Sequence, residues 1–150
     1  MTKIHLITKI NAPINQVFDL ARNIDVHQQS TASSYEKAID GITSGLINQN
    51  ETVTWRGKHF GIYLKHKSLI SEMEFPTYFV DEMLEGHFKS FRHEHNFVEK
   101  NEKTVMIDTI EYQTPFGMLG RIFDQLVLKN HLTQFITERN KFIKKLAESH

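Results

Sequence analysis

Two histidines, His93 and His95, alternate within the segment FRHEHNF, which covers residues 91–97. The segment has the alternation typical of a β-strand, so both imidazoles are predicted on one side of a sheet. Phe91 and Phe97 share that side, which indicates that it faces the protein interior. Imidazoles in such a position can bind a metal ion, take up a proton from a substrate, or present hydrogen-bonding groups to a ligand.

Two other strands are predicted to contribute side chains to the same interior. Around residues 53–59, Trp55 and His59 alternate with charged and hydroxyl side chains, which predicts an inward face. In the strand after the histidines, we place Asp108 and Tyr112 on the inward face rather than their neighbours. The ligand-binding residues predicted from the sequence are Trp55, His59, Phe91, His93, His95, Asp108 and Tyr112, together with Leu132 and Phe135 of a C-terminal helix.

Three kinds of chemistry are open to these residues. A metal site would need further ligands such as His59 and Asp108, but the chain has no cysteine and no H-E-x-x-H spacing, so we expect no metal and no cofactor. In a catalytic site, an aspartate beside a histidine fixes its tautomer and raises its basicity for proton abstraction. In a purely structural role, the side chains satisfy one another in a buried network, which still allows them to line a ligand pocket.

The composition is that of one globular domain, which we place at residues 1–150. Lys and Arg number 18, and Asp and Glu also number 18, so the chain lacks the positive charge on which nucleic-acid binding depends. The first residues, MTKIHLITKINAP, alternate like a strand and lack the apolar run of a signal peptide or a membrane span. We therefore predict a cytoplasmic protein with no nucleic-acid partner and no stable membrane insertion.

The apolar pattern predicts the elements that position these residues. Alternation over residues 3–10 predicts a first strand, Pro13 then opens a short helix, and another helical turn is predicted at residues 25–30. Six strand-like runs with short connections occupy residues 35–114, which favours antiparallel neighbours. Beyond them, apolar residues recur every three or four positions and predict one amphipathic helix of about thirty residues, ~45 Å long. Its charged segment, ERNKFIKKL, is predicted to face solvent.

Four segments carry a resemblance to a known superfamily. They are NAPINQVFDLARN after the first strand, TVTWRGKHFG, YFVDEMLEGHFKSFRHEHNF, and YQTPFGMLGRIFDQL where the last strand runs into the long helix. Together they resemble the helix-grip domains of the SRPBCC superfamily, which includes START domains, the birch-pollen-allergen group and polyketide cyclase/dehydrase-like proteins. The resemblance implies an α+β fold in which a curved antiparallel sheet of about seven strands wraps around a long C-terminal helix, with two short helices after the first strand.

The same resemblance implies a function, because these domains enclose a cavity between sheet and helix. The chain is most similar to bacterial stand-alone ligand-binding members, so we expect it to bind an apolar or amphipathic small molecule such as a lipid, a sterol or a polyketide-like compound. Two alternatives stay open. One is a cofactor-free cyclase, dehydratase or isomerase that uses a pocket histidine with Asp108. The other is an interaction module that acts with a partner enzyme.

Overall fold

The computed structural model describes residues 1–149 and contains one antiparallel sheet of seven strands. The strands are β1 (Thr2–Ile10), β2 (Lys37–Gly41), β3 (Thr52–His59), β4 (Ile62–Glu74), β5 (Tyr78–Glu85), β6 (Ser90–Lys100) and β7 (Lys103–Gln113). Their order in the sheet is β1-β7-β6-β5-β4-β3-β2, so β1 and β2 form its two edges. Register shifts interrupt the β2–β3 and β4–β5 pairings, and such bulges bend the strands they occur in.

Two short helices separate the first strand from the second. Helix α1 spans Ile14–Ala21, α2 spans Ile24–Ser30, and a 3-10 turn spans Ala32–Ser34. Pro13 directly precedes α1, a position where its missing N–H costs no hydrogen bond. Asn23 caps α2, because its Oδ1 accepts a hydrogen bond from the backbone N–H of Val26 at 3.0 Å. The helices therefore begin where the sequence has its start signals.

The C-terminal helix is continuous and has three segments. They are α3 (Gly117–Phe123), a π-helical turn (Asp124–Leu128) and α4 (Lys129–Glu148). Gly120 lies against the chain that enters the helix, since a Cβ there would be 1.9 Å from the carbonyl oxygen of Pro115. The π-helical turn buries Asp124 and Leu128. Helix α4 then contacts β1, α1 and α2, so it covers the inner face of the sheet.

The register of the central strands decides which polar side chains meet. In the β6–β7 pair, His95 is opposite Asp108. In the β5–β6 pair, Asp81 is opposite His93 and Phe79 is opposite His95. Cross-strand neighbours on one face of a sheet have Cβ atoms within about 5.5 Å, so these side chains are close enough to bond.

Two apolar clusters form the core, and the polar residues lie between them. One cluster packs Phe18 of α1 against Phe79 and Phe97 of the sheet, and the other packs Ile110 of β7 against Ile136 of α4. The fully buried side chains along β7 include Met106 in the first cluster and Ile110 in the second, with Asp108 between them. A carboxylate at this position interrupts an otherwise apolar core.

The fold predicted from the sequence is confirmed, including the helix-grip arrangement, the two short helices and the long C-terminal helix. The inward faces are also those predicted, since His93 and His95 on β6, and Asp108 and Tyr112 on β7, are buried. One prediction is wrong. The segment ERNKFIKKL does not simply face solvent, because Arg139 and Asn140 are only 2% and 4% exposed.

Candidate functional site

A cavity of about 220 Å³ lies between the inner face of the sheet and the covering helices. Its walls come from α2, from β3 to β7, and from the π-helical turn and α4. The aromatic and aliphatic lining includes Trp55, Phe79, Phe88, Phe91, Ile110, Leu128, Leu132, Phe135 and Ile136, and the polar lining includes His27, Glu36, His59, His66, Asp81, His93, His95, His131 and Arg139. The cavity is therefore mainly apolar, with polar groups gathered in a few places.

The most buried polar group is centred on Asp108, which is 0% exposed. His93 donates from Nε2 to Asp108 Oδ1 over 2.7 Å. From α4, Arg139 donates to the same oxygen over 3.1 Å, and Asn140 donates from Nδ2 to the other oxygen over 2.8 Å. Three donors from two elements thus hold this carboxylate, as a buried charge requires.

A second carboxylate, Asp81 of β5, lines the cavity together with the two histidines. His95 donates from Nε2 to Asp81 Oδ2 over 2.7 Å, and the Asp81 side chain keeps 19% of its surface exposed. The rings of His93 and His95 stack with centroids 3.7 Å apart, and His95 also stacks on Phe79 at 4.0 Å. Arg139 Nη2 lies 3.4 Å from His95 Nδ1, which accepts when Nε2 carries the proton. We name Asp81, His93, His95, Asp108 and Arg139 the central polar cluster.

The central polar cluster contains two carboxylates that stay ionised at neutral pH. Burial alone would raise the pKa of Asp81, but the hydrogen bond from His95 and the nearby imidazoles outweigh it and lower the pKa to about 2. For Asp108 the bond from His93 and the guanidinium of Arg139 likewise outweigh burial and hold the pKa far below its usual range. Burial lowers the pKa of His95 to about 4. Two carboxylates thus face one guanidinium.

A second polar group lies where β3 approaches the start of α4. Glu36 accepts from His59 Nε2 over 2.8 Å, and His59 Nδ1 lies 2.9 Å from His131 Nε2. Phe60 covers His131, with ring centroids 4.6 Å apart. Burial and the neighbouring His59 lower the pKa of His131. These residues form a chain of hydrogen bonds from a buried carboxylate towards the surface.

Trp55 lies in the cavity wall beside a histidine of α2. The ring of His27 lies 4.3 Å from that of Trp55 and 6.3 Å from that of Phe135. Burial, followed by the positive charge of Arg139, lowers the pKa of His27 to about 3. This part of the wall is therefore aromatic and uncharged at neutral pH.

Seven of the nine predicted ligand-binding residues line the cavity: Trp55, His59, Phe91, His93, His95, Leu132 and Phe135. Asp108 and Tyr112 are both 0% exposed and lie behind that wall. Asp108 accepts the hydrogen bond that orients the ring of His93. The hydroxyl of Tyr112 donates to Asp124 of the π-helical turn, which also accepts from Thr2, so this tyrosine ties β7 to the C-terminal helix.

Sequence reasoning missed Asp81 and Arg139, although each leaves a trace in its pattern. Asp81 is two residues after the buried Phe79, so strand alternation places them on one face. Arg139 lies three residues after Ile136 and four before Ile143, on the buried stripe of α4. Charged residues such as aspartate and arginine usually face solvent, whereas the spacing of these two from buried neighbours predicts that they face the interior.

No protein-family model matches the chain, and no curated protein matches its sequence. Solved structures do match. The chain resembles TTHA0849 from Thermus thermophilus with a TM-score of 0.74 at 15% identity, covering 99% of this chain and 100% of that one. It resembles major latex-like protein 151 from Panax ginseng with a TM-score of 0.70 at 16% identity, covering 97% of each chain. For Ara h 8.0201 the TM-score is 0.74 at 8% identity, covering 99% of each chain.

These likenesses extend over nearly the whole chain, and the protein therefore shares the helix-grip fold of these structures. At such low identities the likeness establishes the fold alone. Among residues 1–149, none of the helices combines the length and the apolar character that crossing a membrane needs.

Proposed function

We propose that the protein binds a small, largely apolar molecule in the cavity between sheet and C-terminal helix, with residues 1–150 acting as one ligand-binding domain. The observation that carries the proposal is the cavity itself, whose aromatic and aliphatic walls enclose a few convergent polar groups. Ligand sites in proteins are commonly built in this way. Ordinary cores are packed without voids much larger than a water molecule, so a space of this size favours a binding role.

The cavity volume limits the size of the ligand. At about 220 Å³ the cavity is smaller than the roughly 300–1,000 Å³ typical of sites for drug-sized molecules. The space suits a compact ring compound or a short acyl chain better than a sterol or a two-chain lipid. A larger ligand could enter only if α4 or the residues around Phe60 moved outward.

The distribution of polar groups orients such a ligand. Trp55, Leu132 and Phe135 offer apolar contact for the body of the molecule. Its polar end faces the central polar cluster, where Asp81 and Arg139 reach the cavity wall. A ligand without a polar end would cover the remaining hydrogen-bonding atoms of these two groups without bonding to them, which costs about 1–3 kcal/mol for each atom left without a partner.

The single tryptophan allows a direct test. Because Trp55 lines the cavity, a bound ring compound changes its fluorescence, and native mass spectrometry of protein from its own host identifies any co-purifying molecule. Leu132→Phe narrows the cavity and is expected to weaken binding. Leu126→Phe, the same change at a side chain that is 72% exposed, serves as control. Equal affinities for the two variants would refute a ligand site in this cavity.

A catalytic role is the second candidate, and the hydrogen bond between His93 and Asp108 favours it. A carboxylate behind a histidine orients the ring and raises its basicity, as proton abstraction in a cofactor-free cyclase, dehydratase or isomerase demands. A His93→Gln variant that keeps ligand affinity but loses turnover would support the enzyme. Unchanged turnover in this variant would exclude His93 as the base. The third candidate, a role as an accessory module for a partner enzyme, would be favoured only if the cavity took up no ligand.

A further inference from the structure

One feature of the central polar cluster is not explained by hydrogen bonds within the protein. His93 donates its Nε2 proton to Asp108, so in the neutral ring Nδ1 carries a lone pair. That nitrogen lies 3.9 Å from Asp81 Oδ2, which is also an acceptor. Within residues 1–149, His95 is the only side chain that donates a hydrogen bond to Asp81. Two acceptors therefore face each other across a gap.

We propose that Asp81, His93 and His95 form a binding site for a divalent transition-metal ion at the wall of the cavity. One ligand atom from each of the three residues lies within 4.8 Å of those from the other two. Oδ2 of Asp81 is 3.9 Å from Nδ1 of His93 and 2.7 Å from Nε2 of His95. Ligands at about 2.0–2.2 Å from one ion are themselves separated by about 3–4 Å, so a single ion can reach all three with small side-chain adjustments.

The surroundings of His93 match those of a metal ligand. A ligating histidine usually donates its second ring N–H to a carboxylate, which fixes the ring and raises its basicity. His93 does so to Asp108 over 2.7 Å, and Nδ1 of His95 lies 3.5 Å from the same oxygen. Asp108 is in turn held by Arg139 and Asn140. When His95 binds the ion through Nε2, its proton moves to Nδ1, which then gives up the bond from Arg139 Nη2 and faces Asp108.

The charges of the cluster also favour a cation. Arg139 is bonded to Asp108, so these two opposite charges compensate each other. Asp81 has no basic side chain other than the two histidines within ion-pair distance in the described part of the chain. A partly buried carboxylate without a compensating charge costs free energy, and a divalent ion between Asp81 and the imidazoles reduces that cost.

The donor set indicates which ions fit. Two imidazole nitrogens and one carboxylate oxygen suit zinc, iron(II) or cobalt(II), whereas calcium and magnesium prefer oxygen ligands. Three protein ligands leave coordination positions open, and these point to the cavity because all three residues line it. The inference departs from the metal-free protein expected from the sequence, because only the structure supplies Asp81 as the third ligand.

The test uses metal-free protein prepared with a chelator and titrated with cobalt(II) and zinc. We expect one equivalent to bind, with visible cobalt absorption bands and with X-ray absorption showing two imidazoles among the ligands. Asp81→Asn keeps the size of the side chain but is expected to weaken binding by more than about 100-fold, because even residues behind the ligands cost about 10–100-fold when changed. His5→Gln, on the exposed edge strand, is the matched control and should bind as the parent does.

Each result decides the matter. Absence of a stoichiometric complex, or equal metal affinity in Asp81→Asn and the parent, would overturn the proposal. Should the asparagine variant fail to fold by circular dichroism, the ligand count from X-ray absorption of the parent decides: fewer than two imidazoles per ion contradicts the site. The outcome is independent of the small-molecule function, since the titration contains no organic ligand and the Leu132→Phe test contains no metal.

Discussion

Replacing Arg139 with methionine tests the central polar cluster most directly. The guanidinium is 2% exposed and donates to Asp108 over 3.1 Å. Methionine matches much of the length and the apolar stem of arginine, so packing within α4 is largely kept. The substitution removes the charge that faces a fully buried carboxylate, and the loss is therefore mainly electrostatic.

The expected loss of stability depends on the hydrogen bonds that Asp108 keeps in the variant. Removing one partner of a buried ion pair costs about 3–5 kcal/mol, because the remaining charge is left without compensation. Asp108 still accepts from His93 and Asn140 in the variant, so the lower end applies and we expect about 3 kcal/mol. With urea m values of roughly 1–3 kcal/mol/M, the unfolding midpoint shifts by about 1–3 M.

The assay is equilibrium urea unfolding at pH 7 with a chelator present, followed by circular dichroism. Lys141→Met is the matched control, because Lys141 is 70% exposed and its ion pair with Glu138 is long at 3.7 Å. Its effect should stay within about 0.5 kcal/mol. Adding Asp108→Asn to the Arg139 variant removes the orphaned charge, so the double variant should be more stable than the sum of the single effects predicts. Equal destabilisation by the Arg139 and Lys141 substitutions would refute the reasoning.

Two further predictions concern stability. Folding lowers the pKa of His27 to about 3, so near pH 6.5 this residue takes up a proton in the unfolded chain but not in the folded protein. The contribution of His27 to stability is therefore complete above pH 6.5. It falls on acidification by up to about 1.4 kcal/mol per pH unit. Unfolding free energies measured from pH 7 to pH 4 check this, and a His27→Gln variant with the same slope would contradict it. Tyr112→Phe removes a donor to the buried Asp124 and should cost about 1–3 kcal/mol, measured by urea unfolding; a loss below about 0.5 kcal/mol would argue against the bond.

The sequence alone determined the elements and their inward faces. Alternation fixes which side of a strand a residue occupies, so His93 and His95 could be placed towards the interior before the sheet was known. On β7 both faces carry apolar residues, so alternation left two choices, and the structure confirms the preferred set with Asp108 and Tyr112. Local signals such as Pro13 and the three- and four-residue spacing after the last strand were sufficient for the helices, because helix starts and amphipathic faces depend on near neighbours in the chain.

Only the tertiary structure decided which polar groups meet. Asp81 reaches His95 because the β5–β6 register brings this part of β5 beside the histidines of β6. Register depends on the turn between two strands and on the packing of both faces of the sheet. Arg139 reaches Asp108 because α4 lies across the sheet with one rotation about its axis, which the whole core sets. Tyr112 shares its inward face with His93 but bonds Asp124 of the distant helix. Periodicity assigns a face to a residue, whereas a bonding partner far along the chain is set by the packing of all the elements between them.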